Sequence, residues 1–312
     1  MINFRFHVVS IVAIFLALAV GVVFGSTVVD SEIVKGLRSD IRTSELEVSR
    51  TRAESERLKS LNDRHEGYMQ STAPFAVAGR LDGRAVLMIA ERGIAESVVD
   101  DQRALLEISG AEPVVVWLEA RLAFAGDDAV LGADILDTSS ADPAALGALV
   151  ADAIAARAGA SVPGVDTPTA AADPVAALAR ESFVSFDDDL AAFDATALGD
   201  RGAIVLLRPG GDLVDDTVAL ATVQALQDAG IETVAGEVFV VLEGSDPPER
   251  GVALVDITGG DLAERVGSVD NVDEQQGRVS TIITLADLER GIVGHYGFGV
   301  GATRSAPEWP DL

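Results

Sequence analysis

The sequence RAVLMIAERGIAESVVDDQRALLEISGAEPVVVWLEA, residues 84–120, decides the fold class of the larger part of this chain. Its two ends, RAVLMIAE (84–91) and PVVVWLEA (113–120), are short apolar runs typical of buried strands. Between them, residues 94–111 place apolar side chains at helical spacing, which predicts an amphipathic helix. A strand, a helix and a second strand in this order predict a βαβ unit with parallel strands.

The same pattern returns after residue 200. RGAIVLLRPGG (201–211) precedes a predicted helix that ends at Gly230, and the apolar segments ETVAGEV (232–238) and GVALVDITGG (251–260) follow, before the final stretch at 266–291. Alternating strands and helices predict a mostly parallel, doubly wound, Rossmann-like α/β domain over residues 75–312. A Pro-, Ala- and Gly-rich segment at 156–174 predicts a flexible insertion, and two smaller lobes are the alternative to one domain.

The amino-terminal region is apolar enough to cross a membrane. Residues 6–29 carry no charged side chain, and about 20 such residues span a hydrocarbon core in helical form. Residues 1–29 therefore predict a cytoplasmic tip and a single transmembrane helix. Arg5 precedes the apolar run and Asp30 follows it, which favours a cytoplasmic amino terminus and an extracytoplasmic remainder. A signal peptide cleaved before Ser26 is the alternative, but the apolar run is longer than such peptides require.

Every fourth residue of this span is small. Ala13, Ala17, Gly21 and Gly25 fall on one face of a helix. Small side chains let helix backbones approach closely in lipid, where packing holds helices together. We therefore expect this face to contact the membrane-spanning helix of a partner.

The segment at 30–72 has the composition of a long exposed helix. It is rich in Glu, Arg, Ser and Leu and contains no Pro. A heptad seam with six apolar members in eleven passes through Val34, Leu37, Ile41, Ser44, Val48, Thr51, Ser55, Leu58, Asn62, His65 and Met69. The pattern predicts a coiled-coil-like stalk in which Val34, Leu37, Ile41, Val48 and Leu58 bind a partner helix or a second copy of the chain. A solvated single helix is the alternative.

The charge and the donor atoms of the chain restrict its ligands. The 312 residues include 50 acidic and 23 basic side chains, for a net charge of −27, which disfavours nucleic acid as a partner. The chain has no Cys, three Met and three His. His65 and Met69, four apart on the predicted stalk, are weak candidates as metal ligands, because a packed seam explains them equally. The residues alone predict no cofactor.

The carboxyl ends of parallel strands are the places where this fold class binds ligands. The turn SVDNVDEQQGR (268–278) follows a predicted strand there, so Asp270, Asn271 and Asp273, with His295 farther along, form a candidate ligand turn. Asp and Asn also cap helices, and capping is the preferred interpretation. The chain has no phosphate-binding loop, dinucleotide fingerprint or Gly-x-Ser-x-Gly motif, so no catalytic residue and no enzyme are predicted.

Three stretches of the chain resemble a known family. FRFHVVSIVAIFLALAVGVVFGS (4–26), with DNVDEQQGRVSTIITL (270–285) and GHYG (294–297), is similar to the actinobacterial family named after mycobacterial copper transport protein B, MctB, which includes SteB-type cell-separation proteins. Val272 and Glu274 depart from the DNADT-like pattern of that family. The resemblance implies a role in copper efflux or homeostasis, with copper as the implied ligand. Through the SteB-type members it also implies a SteA-like membrane partner and control of a peptidoglycan hydrolase.

Residues and resemblance together predict a protein of the bacterial plasma membrane. We expect a non-enzymatic scaffold that acts with a membrane partner in cell separation. Copper efflux or homeostasis is the alternative that the family name implies, and an envelope hydrolase is the second alternative.

Overall fold

A computed structural model of the chain describes residues 4–159, 173–187, 201–209, 218–240 and 249–308. The chain forms two compact units, Met1–Glu66 and Gly67–Leu312. Helix α1 (Phe4–Val77) provides the described part of the first unit, and the second unit contains a mixed α/β domain. The predicted fold class, an apolar amino-terminal helix followed by a mostly parallel α/β domain, is confirmed.

Helix α1 contains the predicted span and the predicted stalk in one element of 74 residues. The stalk pattern ends at residue 72, but the helix continues to Val77. Pro74 lies in the last turn of the helix and has no N–H to donate to the residue four positions earlier, and the helix ends three residues after it. Ala78 N donates to Pro74 O at 3.0 Å, and Gly79 follows in the left-handed region with φ +70°.

The described part of the second unit contains one seven-stranded sheet. Its strands are β1 (Ala85–Glu91), β2 (Glu112–Leu118), β3 (Val184–Phe186), β4 (Arg201–Leu207), β5 (Glu232–Glu237), β6 (Gly267–Val269) and β7 (His295–Tyr296). They lie in the order β3-β2-β1-β4-β5-β6-β7, with β3 antiparallel to β2 and the other neighbours parallel. The chain moves outward from β1 in one direction and from β4 in the other, which makes the sheet doubly wound.

Helices cover both faces of the sheet. They are α2 (Glu96–Ile108), α3 (Asp127–Ile135), α4 (Pro143–Gly159), α5 (Pro174–Arg180), α6 (Val218–Asp228), α7 (Val255–Thr258) and α8 (Gln275–Leu288). On one face, α2, α8 and the end of α1 pack on alternate strand residues such as Ile204; on the other, α3 to α7 pack on residues such as Val205. Burial on both faces explains why the strands read as continuous apolar runs.

The β6–α8–β7 connection has the hand opposite to that of the other crossovers. The β1–α2–β2 and β4–α6–β5 connections move in opposite directions with their helices on opposite faces, so they share one hand. The β6–α8–β7 connection moves in the same direction as β4–α6–β5, but α8 lies on the face of α2. Because about 98% of such crossovers are right-handed, this one is an exception. It lets α8 cover the face that α6 leaves open.

One sequence expectation differs from the structure, two short strands were not predicted, and one expectation falls mostly on residues that the structure does not describe. The apolar segment at 251–260, which the pattern groups with the strands, instead forms the 3-10 helix Val252–Leu254 followed by α7. The short strands β3 and β7 carry no pattern long enough to predict them. Of the predicted insertion at 156–174, residues 156–159 belong to α4 and residues 160–172 lie outside the described part of the chain.

Candidate functional site

The switch point of the sheet, between the carboxyl ends of β1 and β4, is occupied by an ion pair. Glu91 closes β1 and is buried, and Arg208 Nη2, just after β4, lies 3.3 Å from Glu91 Oε1. Gly93 adopts φ +110°, and a Cβ there would lie 3.1 Å from the guanidinium carbon of Arg208. The side chain that fills this crevice among the described residues is therefore that of Arg208, and Gly93 gives it room.

A polar cluster joins β2 to the edge strand β3. Arg92 Nη2 donates to Glu119 Oε1 at 2.7 Å, and the Ser185 hydroxyl donates to the same oxygen. The hydrogen bond from Arg92 lowers the pKa of Glu119. Arg92 also stacks 4.2 Å from the ring centroid of Trp117, whose Nε1 donates to Asp187 Oδ1 at 2.7 Å. A carboxylate with a lowered pKa and a guanidinium partner is a weak base, so this cluster positions β3.

The predicted ligand turn lies at the carboxyl end of β6, and its first residue is a structural clamp. Asp270 is buried, and its two carboxylate oxygens accept hydrogen bonds from Phe298 N at 2.9 Å and Gly299 N at 2.6 Å. Gly297 approaches so closely, with φ +132°, that a Cβ there would collide with this carboxylate. Asp270 therefore holds the loop at 297–301 against the sheet.

Asp273 holds a second loop. Arg250 donates to both oxygens of Asp273, at 2.9 Å each, and Phe239 N donates to Oδ1 at 3.2 Å. The Arg250 guanidinium also lies 4.5 Å from the ring centroid of Phe239. The hydrogen bonds from Arg250 to Asp273 raise the pKa of Arg250, so the guanidinium keeps its charge.

The expected capping role of this turn was wrong. The N-cap of α8 is Glu274, and its side chain makes no capping hydrogen bond. Asp270 and Asp273 instead accept from backbone amides that lie about 25 to 35 residues away in the chain. Asn271 is buried, and its Nδ2 donates to Glu274 Oε2 at 3.4 Å.

His295 lies on β7 and does not join these acidic groups. Its Nε2 is 3.0 Å from Ala263 O and its Nδ1 is 2.9 Å from Ser268 Oγ. Because a carbonyl oxygen only accepts, Nε2 carries a proton and donates to Ala263 O, while Nδ1 and the Ser268 hydroxyl share the second hydrogen bond. Both ring nitrogens are thus used within the fold.

Glu237, at the end of β5, is a site residue that the sequence patterns missed. Its carboxylate is buried and accepts from Gly251 N at 2.8 Å and Ala253 N at 2.9 Å. Burial raises its pKa, the two backbone bonds oppose the rise, and the charge of Asp270 adds to it. The signal in the sequence is an acidic residue that closes a buried strand, as Glu91 also does.

The partner-binding candidates on α1 whose side chains are described are exposed. The stretch Arg5–Gly25 has a mean hydropathy of 2.8 and none of it is buried. Nothing lies within 4 Å of the place where a Cβ would stand at Gly21 or Gly25, and Ala13 and Ala17 are exposed on the same face. The structure brings these four residues together on one side of a helix.

The seam residues of the stalk are exposed as well. The exposed fractions are 59% for Leu37, 49% for Ile41, 46% for Val48 and 52% for Leu58. The Val34 side chain lies outside the described part of the chain. His65 is exposed and Met69 is half-buried, one helical turn apart. Among the described residues, no group of three or more His, Cys, Asp or Glu side chains is placed to hold a metal ion.

Comparison with known proteins gives one family. The family described as "Copper transport outer membrane protein, MctB" matches residues 1–307 of the chain. Proteins named Copper transporter MctB from Mycobacterium tuberculosis and Mycobacterium bovis are 28% identical to it over 327 residues, covering 97% of this chain and 98% of each relative. The protein of the same name from Mycobacterium leprae is 25% identical over 329 residues, with the same coverage.

Proposed function

Because the chain belongs to the MctB family and is a membrane-anchored envelope protein with one candidate span, we propose that it acts as a non-enzymatic scaffold. The observation that carries this proposal is the exposure of helix α1 along its small-residue face and along the described seam residues from Leu37 to His65. In lipid, such a small-residue face packs against another helix. In water, exposed apolar residues at heptad spacing pack against a second helix in the same way.

The α/β domain supports the scaffold function through what its polar groups already do. Asp270, Asp273 and Glu237 hold loops, and Glu119 holds an edge strand. In the described part of the domain these carboxylates are occupied by backbone amides, guanidinium groups or a hydroxyl. We propose that the domain presents a surface for recognition and performs no chemistry.

The partner of the span is a SteA-like membrane protein in this proposal, and the output is control of a peptidoglycan hydrolase during cell separation. Arg5, on the amino-terminal side of the span, supports a cytoplasmic amino terminus in the plasma membrane. The bulk of the chain then lies on the extracytoplasmic side, where peptidoglycan is.

Substitution of the small-residue face tests the proposal. Ala17→Leu with Gly21→Leu places two bulky side chains where backbones must approach, so we expect loss of the membrane partner in affinity purification of the full-length chain. Ala19→Leu is the matched control, because Ala19 lies about 200° around the helix from Ala17. Unchanged recovery of the partner with both face substitutions would contradict span packing.

Copper handling is the second candidate function, favoured by the name of the relatives, Copper transporter MctB. Copper(I) prefers thiolate and thioether ligands, and the chain has no Cys and three Met. His65 and Met69, on the surface of α1, are the donors we propose for copper as cargo. Two residues per chain are too few for a closed site, so two copies would supply four ligands.

A metal-binding measurement separates the two functions. If copper is the cargo, full-length protein in detergent takes Cu(I) from a competing chelator, and His65→Ala with Met69→Leu abolishes the uptake. Equal uptake by the variant would remove these donors from the proposal. In a deletion strain, chains of unseparated cells support the scaffold function, whereas copper sensitivity with normal separation supports copper handling.

A further inference from the structure

The residues of the α1 seam specify the kind of helix that fits against them. Between residues 37 and 65 of the heptad frame, the a positions are Ile41, Val48, Ser55 and Asn62, and the d positions are Leu37, Ser44, Thr51, Leu58 and His65. The a positions with apolar side chains are β-branched, and the d positions with apolar side chains are Leu. This distribution favours parallel two-stranded coiled coils over trimers and tetramers. Asn62, a polar residue at a, is a feature that fixes register in such dimers.

The charges beside the seam fit a second copy of the same chain. In a parallel dimer, each g residue faces the e residue five positions later on the other helix. Glu47 then faces Arg52 of the second copy, and Glu54 faces Lys59 of the second copy, each pair occurring twice. One unfavourable pair, Asp40 with Glu45, remains.

The reverse orientation is disfavoured by the same residues. An antiparallel pair places g against g, and three of the four g positions, Asp40, Glu47 and Glu54, are acidic, whereas the fourth is Leu61. Two copies anchored in one membrane by the same span also run in the same direction. In the single chain, the described partner of Glu54 is Arg57 of its own helix, at 3.3 Å, with both side chains more than half exposed. Such an exposed ion pair contributes little to stability, so Glu54 can leave Arg57 and pair with Lys59 of the second copy at little cost.

We propose that residues 37–65 of α1 bind the same residues of a second copy in a parallel, in-register coiled coil. This deepens the proposed scaffold function, on which it rests, by naming the partner of the seam; the span face remains for the membrane partner. Ser44, Thr51 and Ser55 weaken the seam, but anchoring both copies in one membrane raises their effective concentration. A weak seam therefore suffices in the membrane.

Single-cysteine cross-linking tests the seam, because the chain has no Cys of its own. Full-length variants Leu37→Cys and Leu58→Cys, at d, are oxidised mildly in membranes, and we expect interchain disulfides between identical positions. Leu46→Cys is the matched control: Leu46 is 59% exposed, like Leu37, but lies at f on the outer side of the proposed dimer. We expect several-fold less disulfide at 46 than at 37 or 58.

A charge exchange tests the register. Glu47→Arg replaces an attractive pair by a repulsive one at two symmetric sites, and we expect roughly tenfold weaker self-association of the full-length protein in detergent. Adding Arg52→Glu restores opposite charges and should restore association. A merely destabilised helix would not be rescued by the second substitution, and circular dichroism checks that α1 stays helical.

Each outcome decides the proposal. Disulfides at 37 and 58 but not 46, with a mass of two chains and rescue by the double variant, support it. Equal cross-linking at all three positions, a monomeric mass at every concentration, a mass of three chains, or no rescue overturns it. Loss of the membrane partner in the Ala17→Leu, Gly21→Leu variant with intact seam disulfides shows that the two contacts are separate. If the same variant still recovers the membrane partner and still forms the seam disulfides, the proposed span contact is wrong and the proposed coiled coil stands.

Discussion

The carboxylate of Glu237 is buried at the end of β5, where burial raises its pKa above the ordinary value of 4.5. Between 4.5 and the higher pKa of the folded state, the folded chain binds more protons than the unfolded chain. The free energy of unfolding therefore falls as the pH rises through this window. The two backbone amides that donate to this carboxylate belong to the loop at 250–254, so Glu237 also holds that loop in place.

Glu237→Gln removes the charge and keeps one acceptor oxygen. One backbone amide loses its partner, which costs about 1 kcal/mol at every pH, but the decline in stability above pH 4.5 should become shallower than in the unsubstituted chain. Urea denaturation at a series of pH values from 4.5 upward measures this decline. Glu112→Gln, at an exposed position of β2, is the control for the loss of one carboxylate at the surface. An unchanged slope in the Glu237 variant would contradict the raised pKa.

Gly297 is required by its contact with Asp270. A side chain there would have to adopt φ +132° and would collide with the carboxylate. We expect Gly297→Ala to lower the free energy of unfolding by about 2–3 kcal/mol. Gly291→Ala is the comparison: Gly291 has φ +71° but open space around it, so the loss should be about 1 kcal/mol. Equal losses in urea denaturation would show that the collision plays no part.

At the scale of elements, the sequence predicts the strands that have a long apolar pattern of their own, and it misses the short strands that form only by pairing with a neighbouring strand. The runs at 84–91 and 113–120 became β1 and β2 because strands buried on both faces are apolar throughout. Strands β3 and β7 have three and two residues and exist through pairing with β2 and β6. Segments of two or three residues are too short for a local sequence pattern to predict.

The candidate site follows the same rule. Polar residues after a strand identified the turn at 270–273, because position in the chain was enough for that. Their roles were not predictable, since the partners of Asp270 and Asp273 come from loops far away in sequence. Glu237 was missed because it looks like an ordinary strand end until the loop at 250–254 is in place.

The packing of α8 on β4 can be tested by a double substitution. A Cβ at Gly202 would lie 2.8 Å from Leu285 Cδ1. Gly202→Ala alone should cost about 1–3 kcal/mol through overpacking, and Leu285→Ala alone about 2–5 kcal/mol through the cavity it leaves. Together they should cost clearly less than the sum, because the new methyl group enters the space that Leu285 vacates. Additive costs in denaturant titrations would place α8 elsewhere.

At the scale of the whole molecule, the boundary between the units is also a boundary in burial. The seam residues from Leu37 to His65 are exposed, whereas Ala73, Val77 and Leu81 are buried with the strands of the sheet. The carboxyl-terminal part of α1 therefore belongs to the core of the second unit, Gly67–Leu312.

Truncation tests this assignment. A chain that begins at Gly67 keeps all three buried side chains and should unfold in one cooperative transition. A chain that begins at Gly83 lacks them and should be less stable by several kcal/mol, since each large buried side chain contributes about 2–5 kcal/mol. Thermal unfolding followed by circular dichroism compares the two. Equal melting temperatures would show that α1 contributes nothing to the core.

The β6–α8–β7 connection leaves the outer edge of the described sheet held by few bonds. Strand β7 pairs with β6 through only two residues, and the chain reaches it after α8 has passed over β4, β5 and β6. The Asp270 carboxylate then holds the start of the loop at 297–301 through the amides of Phe298 and Gly299. We therefore expect this loop to open locally before the central strands do, because segments with few buried contacts have the lowest local stability.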